Sequence, residues 1–289
     1  MKGHIIYGML CGVVAVQSLA GDTNIFTCRV GDLEVHLLVE YTGQGKSSVL
    51  LGASEADLRR YLPGGTYQAQ THTLLIRSPE RVLLVDTGFG GRLFEHLKTL
   101  GLEPAQVDAV LLTHMHPDHI GGLQREGKAL FPRASLYLSR QEKAYWTETA
   151  AHHGAVAALA PYGARVRTFS PKSIEAAEEL LPGVRAVAAF GHTPGHTLYQ
   201  VESQGQKLLI WGDLMHVQDI QFPLPAVSVS YDTDPQAAGA VRKQVLAYAA
   251  ENRIPVAGMH LRYPAVGRVS PDGAGYRFSP LEEAATQGR

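Results

Sequence analysis

Thr113-His-Met-His-Pro-Asp-His-Ile-Gly-Gly122 is the stretch that decides the fold. Three histidines and one aspartate, His114, His116, Asp118 and His119, fall within six positions, directly after the apolar run Val107-Asp-Ala-Val-Leu-Leu112. A buried strand feeding such a turn holds two imidazoles to one side and a carboxylate plus an imidazole to the other. Neutral imidazole and carboxylate suit zinc and similar divalent ions, and two ligand sets this close imply two metals. The alternative, a polar loop with chance histidines, fits a lone His far better than this density of ligand types.

Further ligand types stand at the ends of other apolar runs. Gly191-His-Thr-Pro-Gly-His-Thr197 follows Val184–Phe190 and offers His192 and His196. Asp213 follows Leu208-Leu-Ile-Trp-Gly212, and His260 follows Ile254-Pro-Val-Ala-Gly-Met259. Singly, each reads as a strand cap, a turn former or a core histidine. Together they match the way ligands gather at strand ends in α/β sheets.

The rest of the chain supports an α/β domain. Short apolar runs rich in β-branched residues or Leu predict strands over Val35–Glu40, Thr73–Ile76, Arg81–Asp86, Ala109–Thr113, Ser135–Ser139, Val184–Phe190, Thr197–Val201 and Lys207–Trp211. Helices are expected over Ser54–Tyr61, Arg92–Leu100 ahead of Gly101, Gln141–His152, Ile174–Leu181 and Pro235–Asn252, the last capped by Asp234 with Pro235 in its first turn. A hairpin is expected around Asp272-Gly273. No Ser/Gly-rich linker interrupts this succession, so one compact domain is the economical reading.

Composition narrows the partners. The chain has 289 residues, a formal net charge of −1, 45% hydrophobic and 18% charged residues, an ordinary globular balance. The near-zero charge, without basic clusters, argues against nucleic acid, and no apolar run reaches the ~20 residues of a membrane span. Lys2, the apolar stretch Ile5 to Val16 and the small-x-small Ser18-Leu19-Ala20 read as a signal peptide cut after Ala20. Residues 21–289 would then form a single exported domain, periplasmic or secreted; without cleavage the protein stays cytoplasmic. Cys11 follows Leu10 rather than a small residue, which speaks against a lipid anchor. Cleavage leaves Cys28 alone, so no internal disulfide is expected. The sequence leaves open whether the chain assembles as a homodimer.

The order His114-x-His116-x-Asp118-His119, Gly-His-Thr-Pro-Gly-His196, Gly-Asp213 and His260, preceded by Val85-Asp86-Thr87-Gly88, resembles the metallo-β-lactamase superfamily. The resemblance spans roughly residues 70 to 265. It implies a four-layer αββα sandwich with two divalent ions, zinc by preference, along one edge of two packed sheets. Carried over by motif, His114, His116 and His196 would bind the first ion, Asp118, His119 and His260 the second, and Asp213 would bridge them. His192 and Asp86 would then be supporting residues. Gly212-Asp-Leu-Met-His-Val217, Tyr231-Asp-Thr-Asp-Pro235 and Gly273–Pro280 are similar to a narrower group of methyl-parathion-hydrolase-like enzymes and quorum-quenching lactonases.

Two divalent ions ~3.5–4 Å apart lower the pKa of a shared water from about 15.7 to near 7. The expected nucleophile is therefore a metal-bridging hydroxide, with no Ser or Cys nucleophile required. Asp118 or Asp213 would pass a proton to the leaving group. His216, three residues after Asp213, stands near where some lactonases place a Tyr. It either donates a hydrogen bond to the developing oxyanion or packs as a supporting histidine. Substrate contacts are expected from Tyr41–Gln70, the Trp146 region and Phe222–Pro225. The resemblance implies hydrolysis of a small lactone or related ester, acyl-homoserine lactones first. Organophosphate triesters are the alternative; a thioester hydrolase, a β-lactamase and a non-catalytic zinc-binding protein fit less well.

Overall fold

Alternation along the central strands requires cover on both faces of a sheet. In the strand Leu33–Lys46, Val35, Leu37 and Val39 join one buried cluster and Leu38 another. Leu74 and Ile76 against Leu75, then Leu83 and Val85 against Leu84, repeat the split in the next two strands. Successive side chains of a strand face opposite ways, so a sheet apolar on both sides lies between two other layers. The computed structural model, which describes residues 16–17, 24–150 and 152–281, shows those layers.

Among the described residues the first sheet has eight strands in the order Val16–Gln17, Ile25–Val30, Leu33–Lys46, Thr66–Arg77, Val82–Val85, Ala109–Leu111, Ser135–Ser139, Val166–Phe169. Pairing is antiparallel as far as Val82–Val85 and parallel from there on. The second sheet has seven strands, Glu179–Leu181, Val184–Ala188, Thr197–Ser203, Gln206–Ile210, Val256–Ala257, Val266–Asp272 and Gly275–Pro280. Val187, Leu198, Val201 and Leu209 of the second sheet share a core with Val35, Leu37 and Leu74 of the first. The helices Leu93–Thr99 and His153–Leu159 bury Leu97 and Ala158 on the outer face of the first sheet. The helix Pro235–Glu251 covers the second with Val245, Leu246 and Ala249. This is the αββα sandwich expected.

Local signals explain most boundaries. Ser54 and Asp57 form a reciprocal capping box on the helix Glu55–Tyr61. The Asp234 carboxylate accepts from the Ala237 amide at 2.9 Å at the head of Pro235–Glu251. Four expectations need correction or fall elsewhere. Ile174–Leu181 is not a helix: Glu179–Leu181 pairs as an edge strand with Val184–Ala188 across Pro182-Gly183. Eight residues are too few to hold a helix without strong packing, and the edge of the sheet offers hydrogen bonds instead. The Gln141–His152 helix is Arg140–Ala144 followed by a π-helical turn, Tyr145–Thr149. The strands around Val39 and Thr73 run on into a hairpin arm, Tyr41–Lys46 against Thr66–Thr71, beyond a bulge at Glu40. The leader expected over residues 1–20 lies outside the described residues except for Val16–Gln17.

Candidate metal centre

The strand Ala109–Leu111 delivers the chain into the decisive loop. His114 and His116 lie in the turn, and Pro117 starts a one-turn helix, Pro117–Ile120, which carries Asp118 and His119. The turn at Asp86-Thr87-Gly88 clamps this loop from beside. The Thr87 amide and hydroxyl donate to the His119 carbonyl at 2.8 and 2.9 Å, and the Gly121 amide to the Gly88 carbonyl at 2.9 Å. The contact is so close that a Cβ on Gly122 would sit 2.6 Å from the Thr87 carbonyl oxygen. From the second sheet come His192, after Val184–Ala188; Asp213, after Gln206–Ile210; and His260, after Val256–Ala257.

These residues form two groups joined at Asp213. In the first, His114 Nε2, His116 Nδ1 and His192 Nε2 lie 2.9, 3.0 and 3.2 Å from one another. Asp213 Oδ2 is 3.3 Å from His192 Nε2 and 3.6 Å from His114 Nε2. In the second, Asp118 Oδ2 lies 3.6 Å from both His119 Nε2 and His260 Nε2. Asp213 reaches this group too, with Oδ1 3.1 Å from His119 Nε2 and Oδ2 3.0 Å from His260 Nε2. The seven-ligand pattern is thus drawn together with one substitution: His192 takes the place given to His196.

That correction has a physical cause. His196 Nδ1 donates to the Ala189 carbonyl at 3.1 Å, and Nε2 accepts from the Asp213 amide at 3.0 Å. Neither ring nitrogen keeps a free lone pair. His192 donates from Nδ1 to Asp232 at 2.7 Å, which leaves Nε2 facing His114 and His116. The rings of other ligands are fixed in the same way. His119 Nδ1 donates to Asp86 at 2.7 Å and His260 Nδ1 to the Gln70 carbonyl at 2.6 Å. The Thr113 hydroxyl spends its proton on Asp86 at 2.7 Å and so accepts from His114 Nδ1 at 3.0 Å. Such partners select the tautomer that offers a lone pair to a metal.

The donor set fits divalent ions. A tetrahedron with metal–nitrogen bonds of 2.0–2.1 Å has edges of about 3.3 Å, close to the spacing of the three imidazole nitrogens. His119 Nε2 and Asp213 Oδ1 are buried 3.1 Å apart with no further hydrogen-bond partner among the described residues, so both are left facing the space an ion would fill. The electrostatics agree. Burial and neighbouring imidazoles hold His114 well below the usual range and His116 at about 3, the neutral form a ligand needs. Burial opposes charge on Asp213, but His119, His260, His114 and His216 outweigh it and keep the carboxylate ionised. Burial likewise opposes charge on His119 and His192, yet Asp213, Asp118 and Asp86 hold the first well above its ordinary value and Asp213 and Asp232 hold the second at about 9. Both positions thus draw positive charge, which a divalent ion would supply in place of their protons.

A cavity of about 430 Å³ opens onto this cluster, lined by Asp118, Asp213, His216 and His260 together with aromatic side chains. Tyr41 and Tyr67 come from the hairpin arm, Phe89 from the turn after Asp86, and Tyr231 from the segment before the helix Pro235–Glu251. Tyr41 and Phe89 meet edge-on at 5.9 Å and are 44% and 52% exposed, so this aromatic wall of the cavity is open to solvent. Of the expected substrate-contact regions, Tyr41–Gln70 lines the cavity. Trp146 is instead buried against His116, and Phe222 is buried between Trp211 and Phe278. His216 lines the cavity, with Nε2 2.9 Å from Asp213 Oδ2 and its ring stacked 4.9 Å from His260. A cavity of about 370 Å³ beside Asp32 and Glu202 contains none of these ligands.

The site also uses residues that sequence reading passed over. Asp232 orients His192, and Gln70 supplies the carbonyl that orients His260. For Asp232 the only sequence signal was its place in Tyr231-Asp-Thr-Asp-Pro235.

Comparison with known proteins agrees with this architecture. The metallo-beta-lactamase superfamily profile matches residues 66–253. A probable metallo-hydrolase of Mycobacterium tuberculosis is 29% identical over 196 residues, covering 54% of this chain and 61% of that protein. The chain thus spans less than two thirds of the curated relative's length. Among solved structures, hydrolase AbOPH of the beta lactamase superfamily is 26% identical with a TM-score of 0.81, covering 94% of this chain and 99% of the other. AidC, a dizinc quorum-quenching lactonase in complex with a product, N-hexnoyl-L-homoserine, shares the fold at 24% identity and a TM-score of 0.81, covering 90% and 98% of the two chains. With more than half its length matched by the profile, the chain belongs to the metallo-beta-lactamase superfamily.

Proposed function

We propose that the protein is a dinuclear zinc hydrolase that opens a lactone or cleaves a related ester of an uncharged substrate, with acyl-homoserine lactones the nearest fit. The cavity carries this reading. It shares Asp118, Asp213 and His260 with the ligand cluster, while the rest of its described lining is aromatic or uncharged apart from His116 and His216. No Lys or Arg lines it among the described residues. An anionic glutathione thioester or the carboxylate of a β-lactam would therefore find no cationic side chain to pair with. The likeness in fold to a dizinc lactonase agrees with a two-ion hydrolase. The same neutral walls admit an organophosphate triester, which is the second reading.

We assign His114, His116, His192 and Asp213 to one ion and Asp118, His119, His260 and Asp213 to the other. Bound there, the ions would supply a Lewis acid and a water of lowered pKa. The chain's own residues do the rest. Tyr41, Phe89 and Tyr231 exclude water from the apolar arm of the substrate. His216, which burial holds at about 4 and so neutral, would spend its one ring proton on Asp213 at 2.9 Å and orient that carboxylate. Asp118, 22% exposed at the cavity, would take the proton the attacking water loses and pass it to the departing oxygen as the C–O bond breaks. The decisive experiment counts zinc per chain and compares kcat/KM on acyl-homoserine lactones, aryl esters, a phosphotriester, a glutathione thioester and a β-lactam. Lactone or aryl ester should lead, and a dominant phosphotriester rate would overturn the first reading in favour of the second.

A further inference from the structure

Outside the ligands, one buried carboxylate touches both of the loops that carry the first group. Glu142, in the first turn of the helix Arg140–Ala144, is 0% exposed. Its Oε1 accepts from the Met115 amide at 2.9 Å and the Trp146 indole nitrogen at 2.5 Å. Its Oε2 accepts from the Thr193 hydroxyl at 2.7 Å and the Gly195 amide at 3.0 Å. Met115 stands between His114 and His116, and Thr193 directly follows His192. The Trp146 ring in turn meets His116 edge-on at 5.3 Å.

The surroundings enforce this arrangement. The Ser139 hydroxyl accepts from the Glu142 amide at 3.0 Å and donates to the Gly195 carbonyl at 2.8 Å. A Cβ at Gly195 would lie 2.2 Å from the Glu142 amide nitrogen, so only glycine lets the His192 loop approach so closely. A buried carboxylate is unfavourable unless its lone pairs are used, and here each oxygen has two donors. The ligand loops come from different sheets, and Glu142 holds one with each oxygen.

We propose that Glu142 is a positioning residue that sets the spacing of His114, His116 and His192 and thereby the affinity of that group for a divalent ion. This rests on the reading that those three residues hold an ion. In Glu142→Gln one oxygen becomes an NH₂ that faces two donors, so one loop is released while the side-chain volume is kept.

The test measures zinc retention against a graded chelator, the visible spectrum of the cobalt-substituted protein, and the melting temperature of the metal-free chain. In E142Q one of two ions should be held about 10–100-fold more weakly, the usual effect of removing a group that orients metal ligands, with the cobalt bands altered. Thr193→Val removes a single donor on the His192 loop and should weaken the same ion to a smaller degree, which keeps the proposal testable if E142Q does not fold. Wild-type retention and unaltered cobalt bands in T193V, and in E142Q where it folds, would overturn it. So would equal weakening of both ions. A wild-type chain that binds neither zinc nor cobalt would instead overturn the metal-centre reading.

Discussion

Replacing His192 and His196 one at a time should give different phenotypes, although the two stand four residues apart in one hexapeptide. His192→Ala removes one of three converging imidazole nitrogens, so the gel-filtered protein should carry one ion fewer per chain. Its metal-free form also loses the bond to the buried Asp232 carboxylate, at about 1–3 kcal/mol, so the ion count is what separates this variant from the next. His196→Ala instead strands the Asp213 amide and the Ala189 carbonyl, bonded at 3.0 and 3.1 Å to a fully buried ring. At about 1–3 kcal/mol for each orphaned group, the metal-free protein should lose about 2–6 kcal/mol. Urea unfolding of the metal-free chains at pH 7, paired with zinc counts by atomic emission, reads both quantities. The reasoning fails if His192→Ala keeps both ions, or if His196→Ala loses one with metal-free stability within about 1 kcal/mol of wild type.

Three further outcomes follow from other parts of the molecule. Burial holds His36 at about 4 against an ordinary 6.5, with Glu34 raising it and Arg77 lowering it, so the unfolded chain takes up a proton there that the folded chain refuses. Stability should therefore fall as pH drops from 6.5 towards 4, by about 2 kcal/mol between pH 7 and 5 from this group, a slope that His36→Gln removes in parallel urea titrations; equal slopes would sink the assignment. Arg242, buried, donates to the carbonyls of Leu214, Pro225 and Val227 at 2.6, 2.9 and 2.7 Å, so Arg242→Met should cost about 3–5 kcal/mol in thermal or urea unfolding, and a loss below about 1 kcal/mol would contradict it. Phe89→Ala should raise KM about 2–10-fold for long-chain acyl lactones and leave short-chain ones nearly unchanged, as an aromatic contact of about 0.5–1.5 kcal/mol predicts; a length-independent change would remove Phe89 from the substrate wall.

Much of the site was legible because chemistry was concentrated in sequence. His114 to His119 form one loop, and Asp213 and His260 each follow an apolar run. The choice between His192 and His196 was not legible, because both follow the same strand within one short loop. What separates them is the Asp213 amide and the Asp232 carboxylate, 17 and 40 residues further along from the ring each engages. Glu142 was invisible for a related reason: a Glu in a short helix ordinarily faces water, and only its partners on two distant segments mark it. The hairpin arm escaped because Tyr41–Lys46 and Thr66–Thr71 are mostly polar or glycine, so the apolar alternation that reveals a strand is weak there.

The division of ligands between the sheets has a mechanical consequence. Each ion would be gripped from both sides: His114 and His116 against His192, and Asp118 and His119 against His260. Such an ion fastens the two halves of the sandwich at one end, much as a crosslink would between positions 78 residues apart. The far end is joined instead by apolar packing and by hydrogen bonds from Gly31 to Gln206, Asp32 to Ser203 and Gln204 to Asp32, independent of any ion. Chelation should therefore open the seam from the ligand end inward. Amide exchange would quicken first at Met115, Thr193 and Asp213, while the strands Val184–Ala188 and Ile25–Val30 keep their protection.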